Sequence, residues 1–177
     1  MVDYNPDWSQ KFRQIASWLM QYVPDGCKIH HVGSTSVPGM PAKDIIDLDI
    51  ECPTGAMPRL IDALSAAGYD HEGNKGISGR EAFTARLNTE AAVLPSHHLY
   101  ACESGAQELK NHLAFRDYLI AHPCRAEWLA TQKIAVDDQS ENRNAYIEGK
   151  AHCYAAITIE SLEWANEAVQ RTAFRRR

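Results

Sequence analysis

Two aspartates at alternate positions, Asp47 and Asp49, have the spacing of residues that act together on one ligand. The pair is interleaved with apolar residues, which predicts a strand over residues 44–50 with a buried face formed by Ile46, Leu48 and Ile50. Both carboxylates should point to the other face of that strand. Carboxylates this close repel each other unless a cation lies between them, and Mg²⁺ prefers such oxygen ligands. The alternative is a polar sheet face whose aspartates are held by a lysine or a helix cap.

A Gly-Ser pair lies upstream of the aspartates and follows a second predicted strand, residues 28–32. Gly33 allows the backbone to come close to a ligand, and the amides that follow it can bind phosphate oxygens together with the Ser34 hydroxyl. We therefore expect Gly33, Ser34 and Thr35 to contact phosphate. The alternative is a turn in which Ser34, Thr35 and Ser36 cap local backbone groups.

These two elements in this order resemble the signature of the nucleotidyltransferase superfamily. The segment HVGSTSVPGMPAKDIIDLDI (residues 31–50) is similar to the leading motif of the GrpB family. The segments HHLYAC (97–102) and HLAFRDYLIAHP (112–123) resemble the same family, so the resemblance covers residues 4–154. That family is mostly bacterial, and its domain also occurs fused to dephospho-CoA kinase.

The resemblance implies a nucleotidyltransferase-like fold and metal-dependent transfer of a nucleotidyl group. In that chemistry Asp47 and Asp49 would hold a divalent metal, Mg²⁺ above all, against a nucleoside triphosphate. Gly33 and Ser34 would contact the β- and γ-phosphates. The partners implied are a nucleoside triphosphate and a small-molecule acceptor.

The chain departs from the superfamily pattern at a third carboxylate, which usually lies on a later strand. The corresponding segment, residues 97–102, contains no acid. Leu99 should face the core together with His97, which leaves His98 on the polar face. We expect His98 to take the third position, as a metal ligand or as a general base. An imidazole ligand would shift the metal preference towards Mn²⁺ or Zn²⁺. The alternative is a hydrogen-bonded histidine on a half-buried strand.

Four basic residues are candidates for contacts with the triphosphate: Lys43, Arg80, Arg86 and Arg116. Arg86 should share the polar face of a strand over residues 81–87, whose apolar residues, including Leu87, would enter the core. Arg80 lies in the glycine-rich loop before that strand. Further basic residues in the helical half, Lys133, Arg143 and Lys150, could also line the cleft. The alternative for each is a solvated surface charge.

The remaining pattern predicts the order α-β-β-α-β-β-α-α-α, an α+β fold with a mixed β-sheet, flanking helices and a helical C-terminal half. Apolar residues at helical spacing indicate a first helix from Trp8 to Tyr22 and a second that closes at Gly68. Three later helices are expected around residues 109–120, 128–136 and 159–169, and the first of them should end before Pro123.

Composition narrows the class of protein. The 177 residues suit one domain, residues 1–177, and a net charge of −5 gives no field that would attract nucleic acid. Five scattered cysteines and the lack of a signal or membrane segment predict a cytoplasmic protein with reduced thiols. Oligomeric state is left open.

Three functions are compatible with these features. The first is a metal-dependent nucleotidyltransferase, and the second is a non-catalytic module that binds a nucleotide or a coenzyme A precursor. The third, a metallohydrolase built on His30, His31, His97 and His98, lacks the usual ligand spacing.

Overall fold

The computed structural model describes residues 1–139 and 143–174. The helices and strands follow in the order α1 (Trp8–Leu19), β1 (Lys28–Val32), β2 (Ile46–Cys52), α2 (Met57–Ala66), β3 (Tyr69–His71), β4 (Arg80–Ala85), β5 (His97–Glu103), α3 (Gln107–Ala121), α4 (Pro123–Gln139) and α5 (Arg143–Phe174). This is the α+β fold with a helical C-terminal half that the sequence predicts.

The five strands form one mixed sheet in the order β1-β2-β5-β4-β3. Strand β2 pairs antiparallel with β1 and parallel with β5, so that Asp47 lies beside His98 and Asp49 beside Tyr100. Strand β4 pairs antiparallel with both β5 and β3. The register therefore brings the aspartates and His98 to one face of the sheet.

The opposite face of the sheet forms the larger core. Ile46, Leu48 and Ile50 are fully buried there, as the strand pattern predicts, and they pack with side chains of α1 and α2 that include Trp8, Ile15, Leu19, Leu60 and Leu64. Each such side chain contributes about 1.5–3 kcal/mol when it is removed from water. The backbone of β2, and hence the direction of its two aspartates, is fixed by this packing.

A smaller core lies among α3, α4 and α5. Val37 and Met40, from the loop after the Gly33–Ser34 turn, are both 1% exposed and pack into it with Leu119, Leu129 and Ile157. The turn is thus anchored to the sheet on one side and to the helical half on the other. Among the described residues, no helix is long and apolar enough to cross a bilayer.

Several predicted boundaries are wrong. Helix α1 ends at Leu19, and Tyr22 lies beyond it, 36% exposed. Strand β2 begins at Ile46 because Asp44 accepts hydrogen bonds from Lys11 and Trp8 outside the sheet. Strand β3 was not predicted, since three residues are too few to show a period.

The prediction for the fourth strand also needs correction. Strand β4 runs from Arg80 to Ala85, and the Arg86 amide donates to the Gly68 carbonyl as the chain leaves the sheet. Leu87 is 82% exposed and does not enter the core. Helix α5 is much longer than the predicted segment 159–169.

His31 lies on the core face of β1 and holds the start of the turn. Its ring stacks on Phe12 with ring centroids 4.7 Å apart, and its Nε2 atom lies 2.9 Å from the Thr35 hydroxyl. Burial lowers the pKa of His31 to about 4, although the charge of Asp47 opposes this shift. The imidazole is therefore neutral in the folded protein at neutral pH.

This burial predicts a specific acid sensitivity. Between pH 6.5 and about 4 the unfolded chain binds a proton that folded His31 does not, so the free energy of unfolding should fall as the pH decreases through this range. His31→Gln keeps a partner for Thr35 but cannot titrate. Relative to this variant, the wild type should lose on the order of 2 kcal/mol from pH 7 to pH 4 in urea unfolding. Parallel stability curves for the two proteins would contradict the prediction.

Candidate functional site

The turn at Gly33 sits directly against the Asp47 carboxylate. Gly33 has φ 69° and ψ −170°, in the region that favours glycine, and a Cβ atom at this position would overlap the Asp47 side chain. Ser36 donates a hydrogen bond of 2.6 Å to the Gly33 carbonyl and holds the turn in place. A glycine is required here both by the backbone conformation and by the close approach.

Asp47 and Asp49 point to the same face of the sheet but differ in exposure. The Asp47 side chain is 32% exposed, and its Oδ1 atom lies 2.9 Å from His98 Nδ1. The Asp49 side chain is fully buried, and its Oδ2 atom lies 2.7 Å from His112 Nδ1. The other oxygen, Asp49 Oδ1, is buried and has no hydrogen-bond partner among the described residues. A buried carboxylate oxygen without a donor is a ready ligand for a cation.

His112, on α3, bridges two carboxylates. Its Nε2 atom lies 3.2 Å from Glu108 Oε1, one helical turn earlier, while its Nδ1 atom binds Asp49. Burial alone would lower the pKa of His112, but the hydrogen bonds to Asp49 and Glu108 raise it to about 10. At neutral pH the site therefore contains an imidazolium cation. The Glu108–His112 spacing of four helical positions was the sequence signal for this pair.

The two aspartates fit a divalent cation. Mg²⁺ is commonly held by one or two carboxylates together with substrate phosphates and water, and the unpaired Asp49 Oδ1 atom suits that role. Over residues 1–139 and 143–174, no group of three or more His, Cys, Asp or Glu residues is arranged to hold a metal ion. The set Asp47, Asp49 and His98 is thus not a preassembled three-ligand cluster, and phosphate oxygens would have to complete the coordination.

The two histidines of β5 lie as the alternation predicts. His98 faces the polar side beside Asp47, with 41% of its side chain exposed. His97 faces the core, where its Nε2 atom lies 2.8 Å from the Tyr69 hydroxyl. The residue beside Asp49 in the parallel register is Tyr100, so β5 places no carboxylate next to the aspartate pair.

Ser34 is held by two side chains from the helical half. Lys133 Nζ donates to Ser34 Oγ at 2.8 Å and to the Pro41 carbonyl at 2.6 Å, and the Tyr154 hydroxyl lies 3.1 Å from the same Ser34 oxygen. Lys133 is only 1% exposed. The turn therefore rests on the buried positive charge of Lys133. In the sequence, Lys133 was only one of several basic residues of the helical half that could line the cleft.

Of the four basic residues predicted to contact the triphosphate, Arg80 lies at the site, whereas Arg116 lies beside it at the end of β1, outside the cleft lining. Arg80 lines the cleft described below, with its guanidinium 4.3 Å from the centre of the Tyr100 ring. Arg116 donates to the His31 carbonyl at 3.0 Å and pairs with Asp117 at 2.7 Å, so it ties α3 to the end of β1.

The other predicted side chains point elsewhere. The Thr35 hydroxyl is buried against His31, so the predicted phosphate contact of Thr35 would have to be made by its backbone amide. Arg86 pairs with Asp70 of β3 at 2.9 Å, near the edge of the sheet and outside the cleft lining. Lys43 is exposed on the loop before β2 and also lies outside the cleft lining. The side chains of Arg143 and Lys150 lie outside the described part of the chain.

A cleft of about 400 Å³ runs between the polar face of the sheet and helices α3 and α5. Gly33 and Asp47 form one wall, and His112, Glu108 and Tyr154 contribute to the other. Carboxylates, a fixed imidazolium and the Gly33–Ser34 turn thus surround one space. This arrangement can hold a phosphate chain through backbone amides, with a cation between the chain and the aspartates.

The chain is similar to known proteins in sequence and in fold. The family model described as "GrpB protein" matches residues 1–160. The UPF0157 protein YqkA of Bacillus subtilis is 37% identical over 167 residues, which cover 93% of this chain and 47% of that protein. A dephospho-CoA kinase of Mycolicibacterium paratuberculosis is 25% identical over 94% of this chain and 46% of the kinase. The chain spans about half the length of these curated relatives, and the second match confirms the predicted link to dephospho-CoA kinase.

The crystal structure of the conserved protein GrpB from Enterococcus faecalis matches with a TM-score of 0.78 and 29% identity, covering 93% of this chain and 98% of that one. A cytoplasmic RNA terminal U-transferase matches with a TM-score of 0.51 and 13% identity, covering 75% of this chain and 42% of that one. The second likeness shows a shared nucleotidyltransferase-like fold. Because the family model covers most of the residues and the GrpB structure covers nearly the whole fold, this chain belongs to the GrpB family.

Proposed function

We propose that this protein transfers a nucleotidyl group from a nucleoside triphosphate to a small-molecule acceptor. The observation that carries the proposal is the contact between the Gly33 turn and Asp47, with the Asp49 carboxylate beside it on the same strand. A phosphate-binding turn and a carboxylate pair in contact are what nucleotidyl transfer requires. Only the fold is shared with a known nucleotidyltransferase, and the reaction is inferred from the site.

In this proposal the turn binds the triphosphate. The backbone amides after Gly33 and the Ser34 hydroxyl would receive the β- and γ-phosphate oxygens. Lys133 and Tyr154 both contact the Ser34 hydroxyl, so that this hydroxyl is already ordered before the ligand binds. The charge of Lys133, buried next to this position, would favour a polyanion over a neutral ligand.

Asp47 and Asp49 would hold a divalent metal, Mg²⁺ in the first instance and Mn²⁺ or Zn²⁺ as alternatives. When bound, such an ion supplies positive charge to the phosphate oxygens and to both carboxylates. His112 already offsets the charge of Asp49 and sets its orientation through the bond to Oδ2, which leaves Oδ1 for a ligand.

The reaction would begin with an acceptor oxygen attacking the α-phosphorus. A bond forms between that oxygen and phosphorus, the bond to the bridging oxygen of the β-phosphate breaks, and pyrophosphate leaves with the electron pair. We assign the acceptor's proton to His98, because its ring is partly exposed and its Nδ1 atom is bonded to Asp47.

A second function, binding without turnover, is favoured by two specific features. β5 adds no carboxylate to the pair, since His98 lies beside Asp47 and Tyr100 beside Asp49, and His112 neutralises Asp49 from within the protein. The ligand would then be a nucleotide or a coenzyme A precursor, in keeping with the match to dephospho-CoA kinase. Release of pyrophosphate from a nucleoside triphosphate in the presence of an acceptor would decide for catalysis.

Asp47→Asn tests the carboxylate pair. We expect it to weaken metal-dependent binding of a nucleoside triphosphate at least about tenfold in calorimetric titrations, because one charged ligand of the cation is lost. Asp47→Asn leaves the buried Asp49–His112 pair intact, so the fold should survive. The double variant Asp47→Asn, Asp49→Asn should abolish the metal dependence.

Asp62→Asn is the matched control, since Asp62 is exposed on α2 and away from the cleft. It should bind like the wild type. Equal nucleotide affinity and equal metal dependence in the wild type and the double variant would sink the proposal.

Lys133→Met tests the support of the turn. Removal of this buried ammonium leaves the Pro41 carbonyl without that donor, which should cost about 1–3 kcal/mol in urea unfolding. Triphosphate affinity should fall by about three- to tenfold at a temperature where the variant is fully folded, because Ser34 loses its charged partner. Lys110→Met, an exposed change on α3, should alter neither quantity. Full stability in the Lys133 variant would show that the buried charge does not support the turn.

A further inference from the structure

A second cavity lies next to the cleft, on the polar side of β4 and β5. Its volume is about 560 Å³, and Arg80 and Tyr100 belong to the walls of both cavities. His98, which is bonded to Asp47, also lines this second cavity but does not line the first. The two spaces therefore meet around the Arg80–Tyr100 pair, with the carboxylate pair on one side and His98 opening to the other.

At this boundary, the hydrogen-bonding capacity of the Arg80 side chain is not fully satisfied by its neighbours. Within residues 1–139 and 143–174 its side chain forms no ion pair, and its Nε atom is buried without a hydrogen-bond partner. The guanidinium lies over the Tyr100 ring in a cation–π contact, with its Cζ atom 4.3 Å from the ring centre. A buried donor without an acceptor costs free energy that a ligand's oxygen would recover.

The other charges of the cavity compensate each other. Lys75 pairs with Glu72 at 2.9 Å, and both residues line the same wall. Arg80 is thus a cation without an ion-pair partner among the residues that line this cavity, where the other ionisable side chains, besides the Lys75–Glu72 pair, are His97, His98 and Tyr100. Glu108, whose pKa the charge of Arg80 helps to lower, lines only the first cavity. A guanidinium presents a planar set of donors that matches the two oxygens of a phosphate or carboxylate.

We infer that the second cavity is the acceptor site and that it takes a small acceptor with an anionic group, a phosphate or a carboxylate, bound by Arg80. The inference rests on the proposed nucleotidyl transfer and adds the class of acceptor. With the anionic group on Arg80, the attacking oxygen of the acceptor would lie on the His98 side of Asp47. A cavity of about 560 Å³ suits a small molecule and not a nucleic-acid strand.

The test uses simple probes on the whole protein without metal or nucleotide. Phenyl phosphate and benzoate present the two anionic groups, and phenol is the neutral control. Binding is followed by calorimetry and by the NMR signal of the Arg80 Nε–H group, which should shift on binding of an anion. Arg80→Gln should weaken the better anionic probe at least about tenfold. Arg86→Gln, just beyond the other end of β4 and paired with Asp70, should leave the affinity unchanged.

The same titration is then repeated with a nucleoside triphosphate and Mg²⁺ present. Binding of the probe at unchanged affinity would support an acceptor site separate from the nucleotide site. Displacement of the probe by the nucleotide would overturn the inference, because Arg80 would then serve the triphosphate. No anion binding in the wild type, or equal binding in Arg80→Gln, would overturn it as well.

These outcomes are distinct from failure of the proposed function. If no nucleotide binds with metal, nucleotidyl transfer fails and the acceptor role fails with it, while the probe titration still shows whether Arg80 binds anions. If nucleotide binds and the probes show no Arg80 dependence, only the acceptor inference fails. The NMR signal of wild-type Arg80 gives this answer even if Arg80→Gln is unstable.

Discussion

Asp49 is a fully buried carboxylate in the middle of the sheet, and the position of α3 depends on how its charge is compensated. An ionised carboxylate in a protein interior is strongly unfavourable unless it is paired and hydrogen-bonded. His112 supplies both the charge and the bond, and Glu108 on the same helix stabilises the imidazolium from its other side. Helix α3 can therefore pack on the sheet only where His112 reaches Asp49. Arg116, one turn further, then reaches the His31 carbonyl at the end of β1.

A second buried charge fixes the other side of the site in the same way. Lys133 on α4 is enclosed between the Ser34 hydroxyl and the Pro41 carbonyl, so the loop from the turn to β2 is fastened to the helical half by hydrogen bonds as well as by Val37 and Met40. The contacts of His112 and of Lys133 both connect the sheet side of the protein to the helical half. The cleft lies between them, and its shape follows from two polar contacts that are costly to break.

The sequence predicted those parts of the site that local periodicity encodes. Alternation along a strand correctly placed Asp47 and Asp49 on one face, His98 beside them and His97 in the core. The same rule failed for Leu87, because the strand ends before it and the rule applies only inside the sheet.

What local patterns could not predict is which residue on one element meets which residue on another. His112 and Lys133 lie 63 and 99 positions from their partners Asp49 and Ser34, and nothing in their own helices marks them as site residues beyond the spacing of Glu108 to His112. Thr35 is the opposite case. It lies within the Gly-Ser motif, but its hydroxyl contacts His31 in the core. A motif therefore located the backbone of the site better than it located the side chains.

The polar face departs from the superfamily pattern in a way that changes its electrostatics. A third carboxylate beside Asp49 would add negative charge and would call for a second cation, whereas Tyr100 adds none and supports the guanidinium of Arg80. The protein supplies its own cation at His112, so the site can remain folded without a metal. On this face β5, with Tyr100, lies between the carboxylates of β2 and Arg80 of β4, and Arg80 also lines the second cavity. The face therefore has one region suited to a cation with phosphate and another suited to an anion. Two ligands of a transfer reaction would need this separation, because like charges held in one space would repel each other.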